Sequence, residues 1–526
     1  MVIRNGSRFD RQRLVALAIP ALVALGVAIN AWGGLMPGVG FWDTGEFQAV
    51  LPVMGTAHPT GYPTYVLLGW LGNILLTPIG EPAYRVTALS LIAVAIAAAA
   101  TVALVRRLTG SMIIGVATGI GLATTRIVWQ NATRADPHPI HLAFVSILLL
   151  ALVRWADGRA DGLERRAVDR RLLVAAVVFG LAAGNHSLTL LLIPPIVLYV
   201  LAVEPGILRR PLFIAGCVGV AALTIALVFL ELPIRGGLLP APLVYGKPAT
   251  WDGFWYVALA EQFRGSLGDV LANLPAKLDD LLTKAEVWFG VLKIAVPIAF
   301  VVTAWRLPRY ALLTGSAMLI TVLFNEAYSN ADIDRYYLGP VLWLWTWLAI
   351  LASEVARFAT ALTVPATRGE AAGATGRRRS AEIVAAVIVA VVLLAPSIPD
   401  LASRRAAADR SGDTGAVTWL AQALPALEQN AVVVSWWSTS TPLWYAQKVE
   451  SQRPDIFIVD DRTMLDLDLG RAPDVIRRYL AEGRPVYAIR LEGPDLDELK
   501  RQFDMTLVAS SSHTGIWKVN GYGVTL

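Results

Sequence analysis

Asp43, Glu46 and His58 bring two carboxylates and an imidazole into one stretch, FWDTGEFQAVLPVMGTAHPTGYP at residues 41–63, with no basic residue among them. Asp43 and Glu46 are three apart, so a helix starting at Thr44 places them on one face or beside its N-terminus. In a wet loop such a pair caps a helix and is solvated. Here the pair is followed by His58, Pro59, Gly61, Tyr62 and Pro63 and then by an apolar segment, an order that could build a pocket between water and lipid. A carboxylate in such a pocket can act as general base toward an acceptor hydroxyl, with its neighbour orienting the acceptor or holding a cation. His58 could donate to a phosphate or cap a turn. Unpaired acids are costly near lipid, so the cluster is either a functional site or a fully wet loop.

The elements that must position these residues are apolar. Of 526 residues, 56% are hydrophobic and 16% charged, and repeated apolar runs of roughly 17 to 25 residues place most of the chain in a bilayer. The net charge of +5 comes from arginines between those runs, where membrane orientation accounts for them and no nucleic-acid partner is needed. The lone Cys217 excludes an intramolecular disulfide framework and a thiolate metal site. Arg4, Arg8, Arg11 and Arg13 precede a first span at 14–32, so the N-terminus is expected in the cytoplasm and residues 33–83 form a first outer loop. Residues 61–79 are hydrophobic enough to span. Counting them would put Arg106 and Arg107 outside, so a helix lying in the outer interface is the reading that agrees with the charge rule.

From there spans are expected at 84–105, 111–129 and 139–154, with two short helices in 172–203 broken at Gly-Asn-His-Ser, residues 184–187. A span at 211–232 leads into a long outer loop at 233–284, followed by spans near 285–305, 310–325, 338–356 and 381–398. The expectation is a mainly α, polytopic membrane domain over residues 1–399 with about eleven transmembrane helices. Residues 400–526 are soluble in composition and lie outside the membrane. AVVVSWW, DIFIVDD and PVYAIRL read as strands, TPLWYAQKVE as a helix starting at Thr441-Pro442, and PDVIRRYLAEG as a second helix. This predicts a small α/β domain with a largely parallel sheet, and no Gly-rich phosphate loop marks a nucleotide site.

Other polar residues lie at the outer ends of spans. Asp136 shares an outer loop with His138 and His141, whose spacing resembles a metal pair but is better explained by turn and helix-start chemistry around Pro139. Asn185 and His186 interrupt an apolar run, where they bond between helices or contact a substrate. Arg235 leaves one span, and Arg335, before Tyr336 and Tyr337, enters another. Each either snorkels to headgroups or recognises an anionic phosphate. Trp251, Trp255, Tyr256 and Phe263 read as an interfacial belt.

D-T-G-E-F followed by H-P-T-G-Y-P-x-Y-V-L-L-G, then A-Y-R-V-x-x-L-S, G-L-A-x-x-N-H-S, L-P-I-R, W-D-G-F-W-Y-V and P-L-W-Y-x-x-x-V-E-x-x-R-P-D-I, resembles glycosyltransferase family 117, which includes protein O-mannosyltransferases. The resemblance implies a GT-C fold, a catalytic carboxylate in the first outer loop and a polyprenyl-phosphate sugar donor. On that pattern Asp43 is the base, with Glu46 beside it and Asp136 as second acidic position. His58, Tyr62, Asn185, His186 and Tyr336 would then line the substrate site, and Arg235 and Arg335 would hold the lipid phosphate. Asp136 departs from the family, where Glu is frequent.

The expected function is transfer of mannose or a similar hexose from a polyprenyl-phosphate donor to a hydroxyl of a protein or glycan acceptor. The reaction would invert the anomeric carbon on the extracytoplasmic face of a bacterial inner membrane. No cofactor is required by the sequence, although the three carboxylates could hold a divalent cation. A transporter of lipid-linked or polar solutes would place ionisable groups at mid-membrane within repeats. A non-catalytic scaffold would tolerate Asp43→Asn.

Overall fold

The computed structural model describes residues 6–364, 372–511 and 514–523. Arg4, one of the residues used to orient the first span, lies outside them. Runs such as LSLIAVAIAAAATVALV form helices, which satisfy all their backbone groups internally and so can cross lipid. Among the described residues eight helices are long and apolar enough to do so: Leu14–Trp32, Pro82–Thr109, His138–Ala160, Pro211–Leu238, Leu274–Arg306, Pro308–Ala327, Ile333–Thr363 and Gly376–Ser397. The pair Met112–Thr124 and Arg126–Ala132, bent by 67°, makes nine if it is one span. The expected count of about eleven exceeds these eight or nine candidates, and the difference lies in residues 165–203. The helix Arg165–Asn185 opens on Arg165, Arg166, Asp169, Arg170 and Arg171, and Ser187–Val203 is too short. The break between them falls at His186, where the sequence placed it. Pro82–Thr109 and Ile333–Thr363 are mostly buried, whereas Leu14–Trp32 and Pro211–Leu238 are largely exposed, as lipid-facing helices are. The protein is multi-pass.

Residues 61–79 do not span. Their helix, Pro63–Leu75, has 13 residues, about 20 Å at 1.5 Å per residue, against a hydrocarbon core of about 30 Å. With Trp42–Val50 it makes the loop after the first span a pair of short helices.

The C-terminal sheet contains β1 (Val432–Val434), β2 (Phe457–Val459), β3 (Val486–Arg490), β4 (Phe503–Ser510) and β5 (Gly515–Tyr522) in the order β2-β1-β3-β5-β4. β1 pairs in parallel with β2 and β3, but β5 is antiparallel to both β3 and β4. The sheet is thus mixed rather than largely parallel. Its antiparallel half comes from FDMTLVAS and GIWKVNGY, a half-exposed hairpin with the uneven burial of an open edge. The helix expected to start at Pro442 starts instead at Trp437 and carries Pro442 inside it. Proline there withholds a hydrogen bond from the carbonyl of Ser438, which the Thr441 hydroxyl reaches at 3.4 Å.

Residues 400–526 are not an appendage. Trp419, Val433, Leu443, Tyr445 and Ile489 share one hydrophobic core with Phe47, Leu91 and Trp345. The Thr133 hydroxyl donates to the Ala408 carbonyl at 2.6 Å, and Ala83 N–H donates to the Tyr445 hydroxyl at 3.2 Å. This docking brings the C-terminal segment to the loop after the first span.

Candidate active site

The helix Trp42–Val50 carries Asp43 in its first turn, where the N-terminal end of the helix dipole favours a negative charge. The glycine of D-T-G-E-F follows from packing. A Cβ at Gly45 would lie 2.2 Å from the Gly40 carbonyl oxygen and 2.8 Å from the Thr441 hydroxyl, so only glycine lets this helix meet the helix Trp437–Trp444. The fully buried Gln48 fastens the other end. It accepts from Gly40 N at 2.8 Å and donates to the Gly38 carbonyl at 3.1 Å and to Thr87 at 3.1 Å. The loop then returns His58 to Glu46, and Gly61 makes the next turn with φ +76°. Trp42 (φ +58°) and Tyr62 (φ +48°) hold left-handed conformations at either end of this segment, a cost concentrated at functional sites.

Glu46 is completely buried and receives His58 twice. The His58 backbone N–H donates to Oε1 at 2.7 Å, and its Nδ1 meets Oε2. The Tyr62 hydroxyl reaches His58 Nε2 at 3.1 Å, so both ring nitrogens are fixed. Across from them Arg335, at the start of Ile333–Thr363, forks between two acids. Its Nη2 donates to Asp43 Oδ2 at 2.9 Å and its Nη1 to Asp136 Oδ2 at 3.1 Å. Asp136 Oδ1 accepts from the backbone N–H of His138 at 2.8 Å and from its Nδ1 at 2.7 Å. Asp43 Oδ1 accepts from the Trp437 indole at 3.3 Å.

These contacts set the ionisation. Burial alone would raise the Asp43 carboxyl. The charges of His58 and Arg335 and the hydrogen bonds from Arg335 and Trp437 outweigh it and hold Asp43 below the usual 3.8. Asp136 is likewise opposed by burial but pulled well below that value by His138 and Arg335. Burial lowers His58, yet Glu46 and Asp43 raise it above 6.5. At neutral pH Asp43 is an ionised acceptor.

A cavity of about 860 Å³ opens on this array. Asp43, His58, Tyr62, His186, Arg335 and Tyr336 line it. Glu46, Asp136 and Asn185 stand behind the wall. Glu46 orients His58, Asp136 anchors Arg335, and Asn185 donates to the Pro137 carbonyl at 3.1 Å. Arg235 is placed elsewhere: its guanidinium donates to the carbonyls of Met54 at 2.8 Å and Val53 at 3.2 Å, bracing the first outer loop outside the cavity. Of the aromatic belt, Phe263 also reaches the cavity, while Trp251 is exposed. The His138 and His141 rings pack with His186. His138 is held by Asp136, and His141 by Thr189 at 3.3 Å.

Four residues were missed by the sequence reading. Trp437 lay in AVVVSWW, read as strand only. Gln48 follows D-T-G-E-F directly but carries no charge to draw notice. Arg134 and Arg410, which line the cavity, looked like ordinary loop charges. Arg134 Nη2 binds Asp332 at 2.7 Å, and Arg410 faces Asp413 at 3.4 Å.

Asp43, Glu46 and His58 offer ligand atoms all within 4.8 Å of one another, a spacing that fits a metal ion. Each of these donors is already engaged by protein groups. Glu46 and His58 hold each other, and Asp43 is engaged by Arg335 and Trp437. At Asp43 a cation would compete with the Arg335 guanidinium, which already supplies positive charge there.

Trp437→Phe tests the contribution of the soluble segment to Asp43. Without the indole N–H the carboxyl loses one of the contacts holding it down, so its pKa rises. Any activity needing ionised Asp43 is expected to have its acid limb moved to higher pH, while the rate at neutral pH, where the carboxyl is still ionised, changes little. The check is a pH–rate profile of both forms. An unshifted limb would mean that Trp437 only packs.

Residues 43–205 match the family model described as Protein O-mannosyl-transferase TMEM260 N-terminal domain. Protein O-mannosyl-transferase TMEM260 of the mouse, Mus musculus, is 26% identical over 443 residues, 80% of this chain and 59% of the mouse protein. The chain thus spans less than two thirds of that relative. Among solved structures, ArnT from Cupriavidus metallidurans in the apo state superimposes with a TM-score of 0.60 at 15% identity, covering 94% of this chain and 97% of ArnT. The same protein bound to undecaprenyl phosphate gives 0.56 at 15% identity with the same coverage. A multi-pass helical domain with a small C-terminal sheet domain docked on it, superimposing on ArnT, has the GT-C fold, and over residues 43–205 this chain is similar to the TMEM260 proteins, as D-T-G-E-F and the motifs after it had indicated.

Proposed function

We propose that this chain is a membrane glycosyltransferase that moves a sugar, mannose or a similar hexose, from a polyprenyl-phosphate donor to an acceptor hydroxyl on the extracytoplasmic face. The observation that carries this reading is Asp43, ionised, facing a cavity of about 860 Å³ and held through both oxygens by Arg335 and Trp437. Asp43 takes the proton of the acceptor hydroxyl as its oxygen attacks the anomeric carbon. The bond from that carbon to the phosphate oxygen breaks, the configuration inverts, and polyprenyl phosphate leaves as an anion that needs no acid. Arg134 and Arg410, both lining the cavity, supply positive charge toward the departing phosphate. His58, fixed by Glu46 and Tyr62, contacts the sugar or the acceptor. Arg235, bound to the carbonyls of Met54 and Val53, lies outside this cavity.

The lipid-linked donor is supported by the likeness to ArnT, whose solved form holds undecaprenyl phosphate, and mannose and a protein acceptor by the name of the mouse relative. A cytoplasmic N-terminus, residues 400–526 outside and a bacterial inner membrane complete the reading. A solute transporter is disfavoured because the carboxylates gather at the outer ends of helices beside a docked soluble domain rather than within the spans.

The test is transfer of radiolabelled sugar from a panel of polyprenyl-phosphate sugars, mannose first, to membrane proteins and glycans, with membranes lacking the chain as control. Transfer that depends on the chain is expected. Its absence across the panel, beside an active control enzyme, would refute the reading. In the same assay a chelator should leave transfer unchanged, because Arg335 occupies the place of a cation. Loss on chelation, restored by Mg²⁺ or Mn²⁺, would instead assign Asp43, Glu46 and His58 to a metal.

A further inference from the structure

The order β2-β1-β3-β5-β4 has a switch point between β1 and β3. From β1 the chain runs to the β2 edge, and from β3 it runs to the β4 edge. Crevices outside the carboxyl ends of strands at such points are where open α/β sheets take ligands. Here the crevice has a volume of about 450 Å³ and is lined by Trp436 beyond β1, Asp461 beyond β2, and Arg490, Asp495 and Glu498 at and beyond the end of β3.

Its polar groups are held ready and are incompletely used. Arg490 is 5% exposed. Its Nη1 donates to the carbonyls of Val434 at 3.1 Å and Ile489 at 2.9 Å, while Nε and Nη2 have no hydrogen-bond partner among the described residues. The carboxylates of Asp461 and Asp495 likewise accept no hydrogen bond from the described residues, and both side chains are exposed. Glu498 is paired with Arg471 at 2.8 Å. Free acceptors and free donors therefore face each other beside an indole and the apolar side chains of Met464 and Leu499. A phosphate would meet Asp461 and Asp495, and an ammonium would meet Arg490. A neutral polyol satisfies both, donating its hydroxyls to carboxylates, accepting from the guanidinium and laying a C–H face on the indole.

We infer that this crevice is a second binding site, distinct from the catalytic cavity, for a neutral sugar residue. The two sites adjoin. Trp437, the next residue after Trp436, lines the catalytic cavity, and the Trp436 ring lies 6.4 Å edge-on from that of Trp42, which lines the cavity as well. A sugar in the crevice thus stands beside the catalytic cavity, and the ligand is a glycan or an acceptor already carrying one. Binding of sugar here does not depend on the catalytic reading.

The experiment is equilibrium binding of radiolabelled methyl α-mannoside, methyl α-glucoside and methyl β-galactoside to the full chain in detergent. It compares wild type, the double variant Asp461→Ala/Asp495→Ala and Asp43→Asn, with unfolding midpoints recorded for each. Asp461 and Asp495 are exposed, so the double variant is expected to keep its midpoint. Saturable binding of at least one glycoside is expected, weakened at least about tenfold in the double variant, the effect of losing two hydrogen-bond acceptors, and unchanged in Asp43→Asn. Three results would overturn the inference: no saturable binding of any glycoside, binding lost in Asp43→Asn but kept in the double variant, or displacement of the glycoside by inorganic phosphate with the strength of a primary ligand.

Discussion

Asp43→Asn is expected to reduce sugar transfer by roughly 10²- to 10⁴-fold, the range contributed by a positioned general base. The amide keeps the size of the carboxylate and can still accept from Arg335, so the helix Trp42–Val50, secured by Gln48 and by the close approach at Gly45, should stay in place. What is lost is the ability to take a proton. Asp43 faces the cavity, whereas Glu46 is fully buried against His58 and Asp136 is 1% exposed against His138 and Arg335. Neither can stand in for it. The measurement is initial rate of transfer from the wild-type donor, with the unfolding midpoint as control for the fold. A rate within a few-fold of wild type at an unchanged midpoint would make Asp43 structural and remove the base from the proposed reaction.

Arg335→Met should have the largest effect on stability. Arg335 is 9% exposed and lies between Asp43 and Asp136. Removing one partner of a buried ionic group costs about 3–5 kcal/mol, because the remaining charge is left without compensation. Here two carboxylates are left. Both have their pKa lowered in part by Arg335, so both should rise toward or above ordinary values in the variant. Such carboxylates contribute stability above their unfolded pKa and lose it as pH falls through the folded one. The wild-type contribution is therefore intact above about pH 4 and fails only at strongly acidic pH, while the variant should begin to protonate and lose activity at much higher pH. Arg335→Lys, with one charge but no planar fork, should recover part of the stability by reaching one acid at a time. Unfolding midpoints in detergent from pH 4 to pH 8 check both. Equal midpoints for wild type and Arg335→Met would mean that water already compensates Asp43 and Asp136.

Much of the site was legible because its residues are polar where polarity is expensive. An acid pair and a histidine beside lipid are conspicuous in a chain that is 56% hydrophobic, and so are Asp136, Asn185, His186 and Arg335, each at the end of an apolar run. The polar Gly-Asn-His-Ser interruption placed a break at residues 184–187, and the charge rule kept Pro63–Leu75 out of the span count. The α/β alternation after residue 400 was also readable, because β1, β2 and β3 are short buried runs separated by helices.

Local pattern did not reveal which surface each element meets. Arg235 and Arg335 have the same type and the same position at a span end. One braces the carbonyls of Val53 and Met54, while the other joins Asp136 to Asp43, which lies 292 residues before it in the chain. A guanidinium fork suits carbonyl, carboxylate and phosphate alike, so its partner is chosen by packing. Trp437 was invisible for a related reason: one indole looks like any other until the docking of the sheet domain turns its N–H toward Asp43. Composition and spacing by themselves determined a membrane-embedded helical domain, an acidic loop after its first helix and a C-terminal α/β segment, since hydrophobic burial and backbone satisfaction act along the chain. The tertiary structure decided that Glu46 serves His58, that Asp43 alone of the three acids faces the cavity, and that the soluble segment closes the site, since a close-packed interior assigns each polar group to whichever partner the fold brings within reach.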